Sequence, residues 1–118
     1  MIKVYGIKTC NSYKKAVKFF QENNIDITTI DLKETVPTLE EIRKYHNQSG
    51  LDIKKFFNTS GKLYRELDLK SKYKDMKIDD IYKLLSENGM LIKRPLVVYD
   101  DMVLVGFKDE TYNQIWKL

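Results

Sequence analysis

The chain has 118 residues, 42% of them hydrophobic, with 21 basic and 17 acidic residues for a formal charge of +4. That suits one ordinary domain, 1–118, with enough apolar content for a core. No stretch nears the ~18 apolar residues of a membrane span, and the first residues lack a signal peptide's apolar run, so a cytoplasmic protein without membrane partners is expected. Lysines are spread among the acids, with pairs such as Lys14-Lys15 and Lys54-Lys55 but no larger cluster. That pattern reads as solvated surface and not as a nucleic-acid footprint.

The first element is a short apolar strand over residues 2–5. Gly6, Ile7, Lys8 and Thr9 make a turn, and then Cys10, the only cysteine, opens a helix. Tyr13, Ala16, Val17 and Phe20 recur at i, i+3, i+4 and i+7, one face of that helix. A thiol in a helix's first turn meets unpaired backbone N–H groups and the positive end of the macrodipole. Both favour the thiolate, which is the reactive form. A free cysteine is more often a small buried hydrophobe, but the strand–turn–helix setting favours the reactive reading here. One cysteine has no internal partner, so redox chemistry at Cys10 must be completed by an external thiol. Candidates are glutathione, another low-molecular-weight thiol, glutaredoxin or thioredoxin.

Asn23 and Asn24 stop the helix, and Ile25, Ile27 and Ile30 predict a second strand ending near Asp31. Strand–helix–strand of this length implies parallel strands joined by a right-handed crossover. The region 34–92 carries helix signals and no strong strand signal. Thr38 and Glu41 form a capping box after Pro37, with Leu39, Ile42 and Tyr45 inward and Gly50 as the stop. Asp52 caps a short helix through Phe56 and Phe57, both core residues by type. A polar loop follows at Asn58, Thr59, Ser60 and Gly61, and the loop segment is taken to include Tyr64 and Arg65. Ile78, Ile81, Leu84 and Leu85 predict another helix, ended by Asn88-Gly89 as a C-cap.

Two apolar runs, 96–99 and 102–105, are joined by Asp100-Asp101 as a hairpin. A last helix from about Lys108 begins with Asp109 and Glu110 and offers Tyr112, Ile115 and Trp116 to the core. The order β-α-β, helical insertion, β-β-α predicts an α/β fold, a thioredoxin-like four-stranded mixed sheet. His46 and Cys10 are single residues of their types and cannot make a zinc set, so no metal is expected. His46 is read as a surface or half-buried residue.

Several fragments, in order, carry a family likeness: Tyr5-Gly6-Ile7-Lys8-Thr9-Cys10, Lys14-Lys15-Ala16, Asn58-Thr59-Ser60-Gly61 through Tyr64-Arg65-Glu66-Leu67, Lys93-Arg94-Pro95-Leu96, and Val105-Gly106-Phe107. With them the chain resembles the arsenate reductase (ArsC)-like group of thioredoxin folds, which also includes Spx, MgsR and the YffB-type proteins. The resemblance implies a nucleophile at Cys10, an anion-holding arginine at Arg94, and Pro95 in cis facing the Cys10 helix. Beside them, Lys8 is placed to lower the Cys10 pKa, Ser12 to cap the first turn or donate to the thiolate, and Arg65 to reach in from the insertion. Asn11 is by type a turn residue beside the same site.

The departures point away from two activities of the group. The resemblance implies three arginines for arsenate, but Asn58 stands near one such position and Gly106-Phe107-Lys108 near another. Lysine is a poor substitute for a bidentate guanidinium fork. A switching Cys-x-x-Cys pair is also missing, because its second position is Tyr13. The first expectation is a thiol-dependent reductase with no bound cofactor. The alternatives are a regulator that contacts RNA polymerase, through its alpha subunit, without a switch disulfide, or a true arsenate reductase.

Overall fold

A computed structural model describes residues 1–117, so Leu118 at the end of the expected domain lies outside the described residues. Strand β1 (Ile2–Gly6) lies inside a four-stranded sheet of order β2-β1-β3-β4. Helix α1 (Asn11–Glu22) crosses to β2 (Ile27–Asp31), which pairs parallel to β1 in the register Ile2 to Ile27. Strands β3 (Leu96–Tyr99) and β4 (Met102–Val105) are antiparallel to their neighbours, and Asp100-Asp101 is the two-residue connection. This is the thioredoxin-like mixed sheet expected from the order of elements.

Alternation along the strands sends side chains to two separate cores. On one face Ile2, Val4 and Val97 pack with Ala16, Phe19 and Phe20 of α1 and with Tyr112 of the last helix. On the other face Tyr5, Leu96 and Val103 meet Ile42, Tyr45, Ile81, Tyr82 and Leu85. Those come from α2 (Leu39–Ser49) and α5 (Ile78–Glu87), with the short α3 (Lys62–Glu66) and α4 (Leu69–Lys72) between them. The last helix, α6 (Asp109–Trp116), carries Trp116 as a half-buried edge of the aromatic cluster around Phe19, Phe20 and Tyr112.

The Thr38–Glu41 capping box forms as predicted: Thr38 Oγ1 accepts from Glu41 N at 3.1 Å, and Glu41 accepts from Thr38 N at 2.9 Å. Gly50 closes α2 in the left-handed conformation that favours glycine. Four details differ from the sequence expectation. Strand β2 starts at Ile27, because the α1 stop takes in Ile25, whose N–H returns to Phe20 O at 2.9 Å. Asn88 ends α5 with φ −139°, so no left-handed cap forms there. Gly89 instead opens a 3-10 turn where a Cβ would strike the Leu32 carbonyl. Finally, Tyr64 and Arg65 belong to α3 and not to a loop, with Tyr64 buried against Phe57.

Candidate active site at the start of helix α1

Cys10 is the N-cap of α1, with extended φ and ψ of −81° and 122°. Its carbonyl accepts Lys14 N–H at 3.0 Å, and its own N–H is tied to Ile7 O at 2.9 Å across the β1–α1 turn. An N-cap side chain points at the unpaired N–H groups of the first turn. Here the cap residue is a cysteine, and its sulfur sits beside those groups without making a capping hydrogen bond. Burial pushes the half-exposed thiol up, but the Tyr13 N–H, the Arg94 guanidinium with its charge and the Ser12 N–H lie near enough to favour the charged form and outweigh it. The result is a Cys10 pKa below the ordinary thiol value, the condition for a nucleophilic thiolate.

Tyr13 also braces that first turn from below. Its ring lies against Gly6 of β1, so closely that a Cβ at position 6 would overlap the ring atoms. Its hydroxyl reaches the Thr29 side chain on β2, with Asp31 nearby; burial is the main reason its phenol is pushed up. The residue that excludes a second cysteine therefore holds in place one of the N–H groups that serves the first.

Arg94 comes from the opposite wall. The Arg94–Pro95 peptide is cis, and the Pro95 carbonyl accepts Gly106 N–H at 2.8 Å. Arg94 Nη1 also donates to Met90 O at 3.4 Å, which steadies the guanidinium beside the sulfur. Together these residues line an open cleft of about 540 Å³, with Ser12, Asn58, Ser60, Gly61, Lys62, Glu66 and Lys93 around Cys10 and Arg94.

The other residues singled out in the sequence fall in different places. Ser12 lines the cleft from the second helical position; the cap itself is Cys10. Lys8 and Asn11 are exposed and outside the cleft lining. Arg65 turns back on its own loop, with Nη1 donating to Ser60 O at 3.1 Å. Phe107 packs with Phe19 and Tyr112 in the core facing α1. His46 is half-buried and engaged by Tyr82 at 2.6 Å and Leu51 O at 2.9 Å. Among the described residues no cluster of three His, Cys, Asp or Glu side chains is arranged to hold a metal. No helix among them is long and apolar enough to cross a membrane.

Sequence reasoning missed Lys93, Lys62 and Glu66 in the cleft. Adjacency to Arg94 was the one available signal for Lys93, and α3, which carries the other two, had no clear helical period.

The ArsC family model matches residues 5–115. The chain belongs to the ArsC family. It is 44% identical to YusI of Bacillus subtilis strain 168, an uncharacterised protein, with 95% of each chain covered. It is similar at 43% identity to the crystal structure of an ArsC family related protein from Bacteroides fragilis, with a TM-score of 0.89, covering 97% of this chain and 96% of that one. It is also similar, at 24% identity, to the global transcriptional regulator Spx 2 of Bacillus anthracis, with 93% of this chain and 82% of the regulator covered.

Proposed function

We propose that this ArsC family member is a thiol-dependent reductase working through Cys10. The observation that carries the reading is Cys10 at the N-cap of α1, its thiol pKa lowered by the first-turn N–H groups and Arg94, and its side chain lining an open cleft with Arg94. In the proposed cycle the Cys10 thiolate attacks one sulfur of a disulfide, that S–S bond breaks, and the distal sulfur leaves as a thiolate. An external thiolate then attacks the Cys10 mixed disulfide, takes the bound sulfur group as a new disulfide, and returns Cys10 to the thiolate. Glutathione, another small thiol, glutaredoxin or thioredoxin is the source of that second thiol. Arg94 stabilises the anionic sulfur in both directions by charge and hydrogen bonding. Cytoplasmic operation fits this scheme, because a reducing compartment supplies the external thiol.

Arsenate is the weaker substrate reading. Arg94 alone among the three arginines reaches the cleft, since Arg43 pairs with Asp79 and Arg65 with Ser60. The likeness to Spx 2 favours a second reading, a regulator that binds RNA polymerase, but with Tyr13 at the partner position it lacks a redox switch within the pair.

The deciding experiment is the pH dependence of iodoacetamide alkylation of the native protein. The expected midpoint lies below that of a free thiol, and Arg94→Ala moves it upward. A midpoint at or above the free-thiol value would remove the basis of the reductase reading.

A further inference from the structure

The cations around Cys10 continue past its cleft. Lys93 lines the Cys10 cleft on one side and, on the other, a second hollow of about 270 Å³ formed with Lys54, Lys55, Phe57 and Thr59. Extended backbone brings these distant segments together. Phe57 and Ile92 form an antiparallel bridge, flanked by Lys93 N to Phe56 O at 2.8 Å and Asn58 N to Leu91 O at 2.7 Å. Phe57 and Ile92 are buried, so the alternation of extended chain turns Lys93 outward. The 3-10 turn Ile53–Phe56 delivers the exposed Lys54 and Lys55 beside it.

Charge pairing on this surface is one-sided. No carboxylate lines the second hollow. Among the described residues Lys54, Lys55, Lys93 and Arg94 take part in no ion pair, and the one acid of the Cys10 cleft, Glu66, lies 3.7 Å from Lys62. Asp52 is the acid of this segment, with its Oδ1 accepting Lys54 N–H at 2.9 Å, but the two hollows themselves are lined by Lys54, Lys55, Lys62, Lys93 and Arg94 against Glu66 as their one carboxylate. Like charges held side by side repel, and an anionic partner lying along them relieves that repulsion. An anion confined to the Cys10 cleft meets Lys93 and Arg94 but not Lys54 or Lys55, which line the second hollow. Only an extended anion occupies both hollows.

Resting on the reading of Cys10 as a reactive thiolate, we propose that this corridor from Cys10 and Arg94 through Lys93 to Lys54 and Lys55 receives an acidic polypeptide segment. The disulfide partner is then a protein whose cysteine is flanked by carboxylates. Electrostatic steering of this kind raises association rates and fades with salt.

The test uses the native chain and pyridyl disulfides of cysteine peptides, in which Cys10 attack joins the peptide sulfur to Cys10 and expels neutral thiopyridone. Peptides flanked by glutamates, glutamines or lysines are compared with dipyridyl disulfide, a small neutral probe. At low salt the glutamate peptide is expected to react about tenfold or more faster than the lysine peptide, and high salt should erase the difference. Lys54→Glu/Lys55→Glu, at exposed positions, should lower the ratio of glutamate-peptide to neutral-probe rates about tenfold. Slow reaction of the neutral probe itself would overturn the thiolate reading. Fast neutral reaction without charge preference would overturn the corridor alone. A preference that responds to Lys93→Gln but not to the Lys54/Lys55 reversal would assign a small-anion site confined to the Cys10 cleft, and would overturn the polypeptide partner.

Discussion

Replacing Gly6 with alanine tests whether Tyr13 braces the Cys10 turn. A Cβ at position 6 would meet the Tyr13 ring well inside contact distance, so the ring must move or the strand must shift. Overpacking of this kind costs about 1–3 kcal/mol. For a domain near this size that lowers Tm by roughly 4–12 °C, at about 4 °C per kcal/mol. Removing the ring changes the sign. Tyr13→Ala gives up a half-buried aromatic, roughly 2 kcal/mol, about half the cost at a fully buried site. In that background the three atoms nearest the new Cβ are gone and the backbone is free of positive φ, so Gly6→Ala should be neutral or stabilise by about 0.4–1 kcal/mol through the unfolded chain. The double-mutant cycle, read by urea or thermal unfolding, should therefore show a coupling of about 1–4 kcal/mol. Because the Tyr13 N–H is among the groups that lower the Cys10 pKa, Gly6→Ala alone should also move the alkylation midpoint upward. Equal destabilisation by Gly6→Ala in both backgrounds would refute the brace.

Three further outcomes are expected. Mild oxidation with excess small thiol should give a one-to-one adduct at Cys10 by mass spectrometry, absent in Cys10→Ser, whose unfolding temperature should stay close to the parent's. Coupled arsenate reduction with glutathione and glutaredoxin should stay near background, and robust turnover would show that the missing arginines are replaced by the cleft lysines. Stability should fall as pH rises past about 10, because Tyr5 and Tyr112 are raised above the ordinary phenol value of 10.0 by burial. The unfolded chain then releases protons that the folded chain keeps, so stability present below that pH is lost above it. Phenolate absorbance should show these two tyrosines ionising only with unfolding; Tyr45→Phe, which strips Tyr5 of its 3.0 Å partner, should cost about 1–2 kcal/mol.

The features legible in the amino-acid order alone are local in origin. A strand, a tight turn and an amphipathic helix place Cys10 at a helix start whatever the rest of the chain does, because hydrophobic period and helix-end chemistry act over a few residues. The Thr38–Glu41 box, the Gly50 stop and the Asp100-Asp101 hairpin are of the same kind, and so is the mixed-sheet order, which follows from element sequence and short connections. Short helices were not legible: Lys62–Glu66 is too brief for a period to show, and burial of Tyr64 on Phe57 holds it in place. Which cations serve the thiolate depends on how distant segments fold together. Lys8 is two residues from Cys10 yet lies outside the cleft, and Arg65 turns to Ser60, whereas Arg94 reaches the sulfur from a distant loop. Lys93, Lys54 and Lys55 likewise share a surface because Phe57 bridges Ile92. Electrostatic contact depends on distance through space, and the pairing of β3 with β1 and the burial of Phe57 and Ile92 set those distances, with no trace in the spacing of the charged residues along the chain.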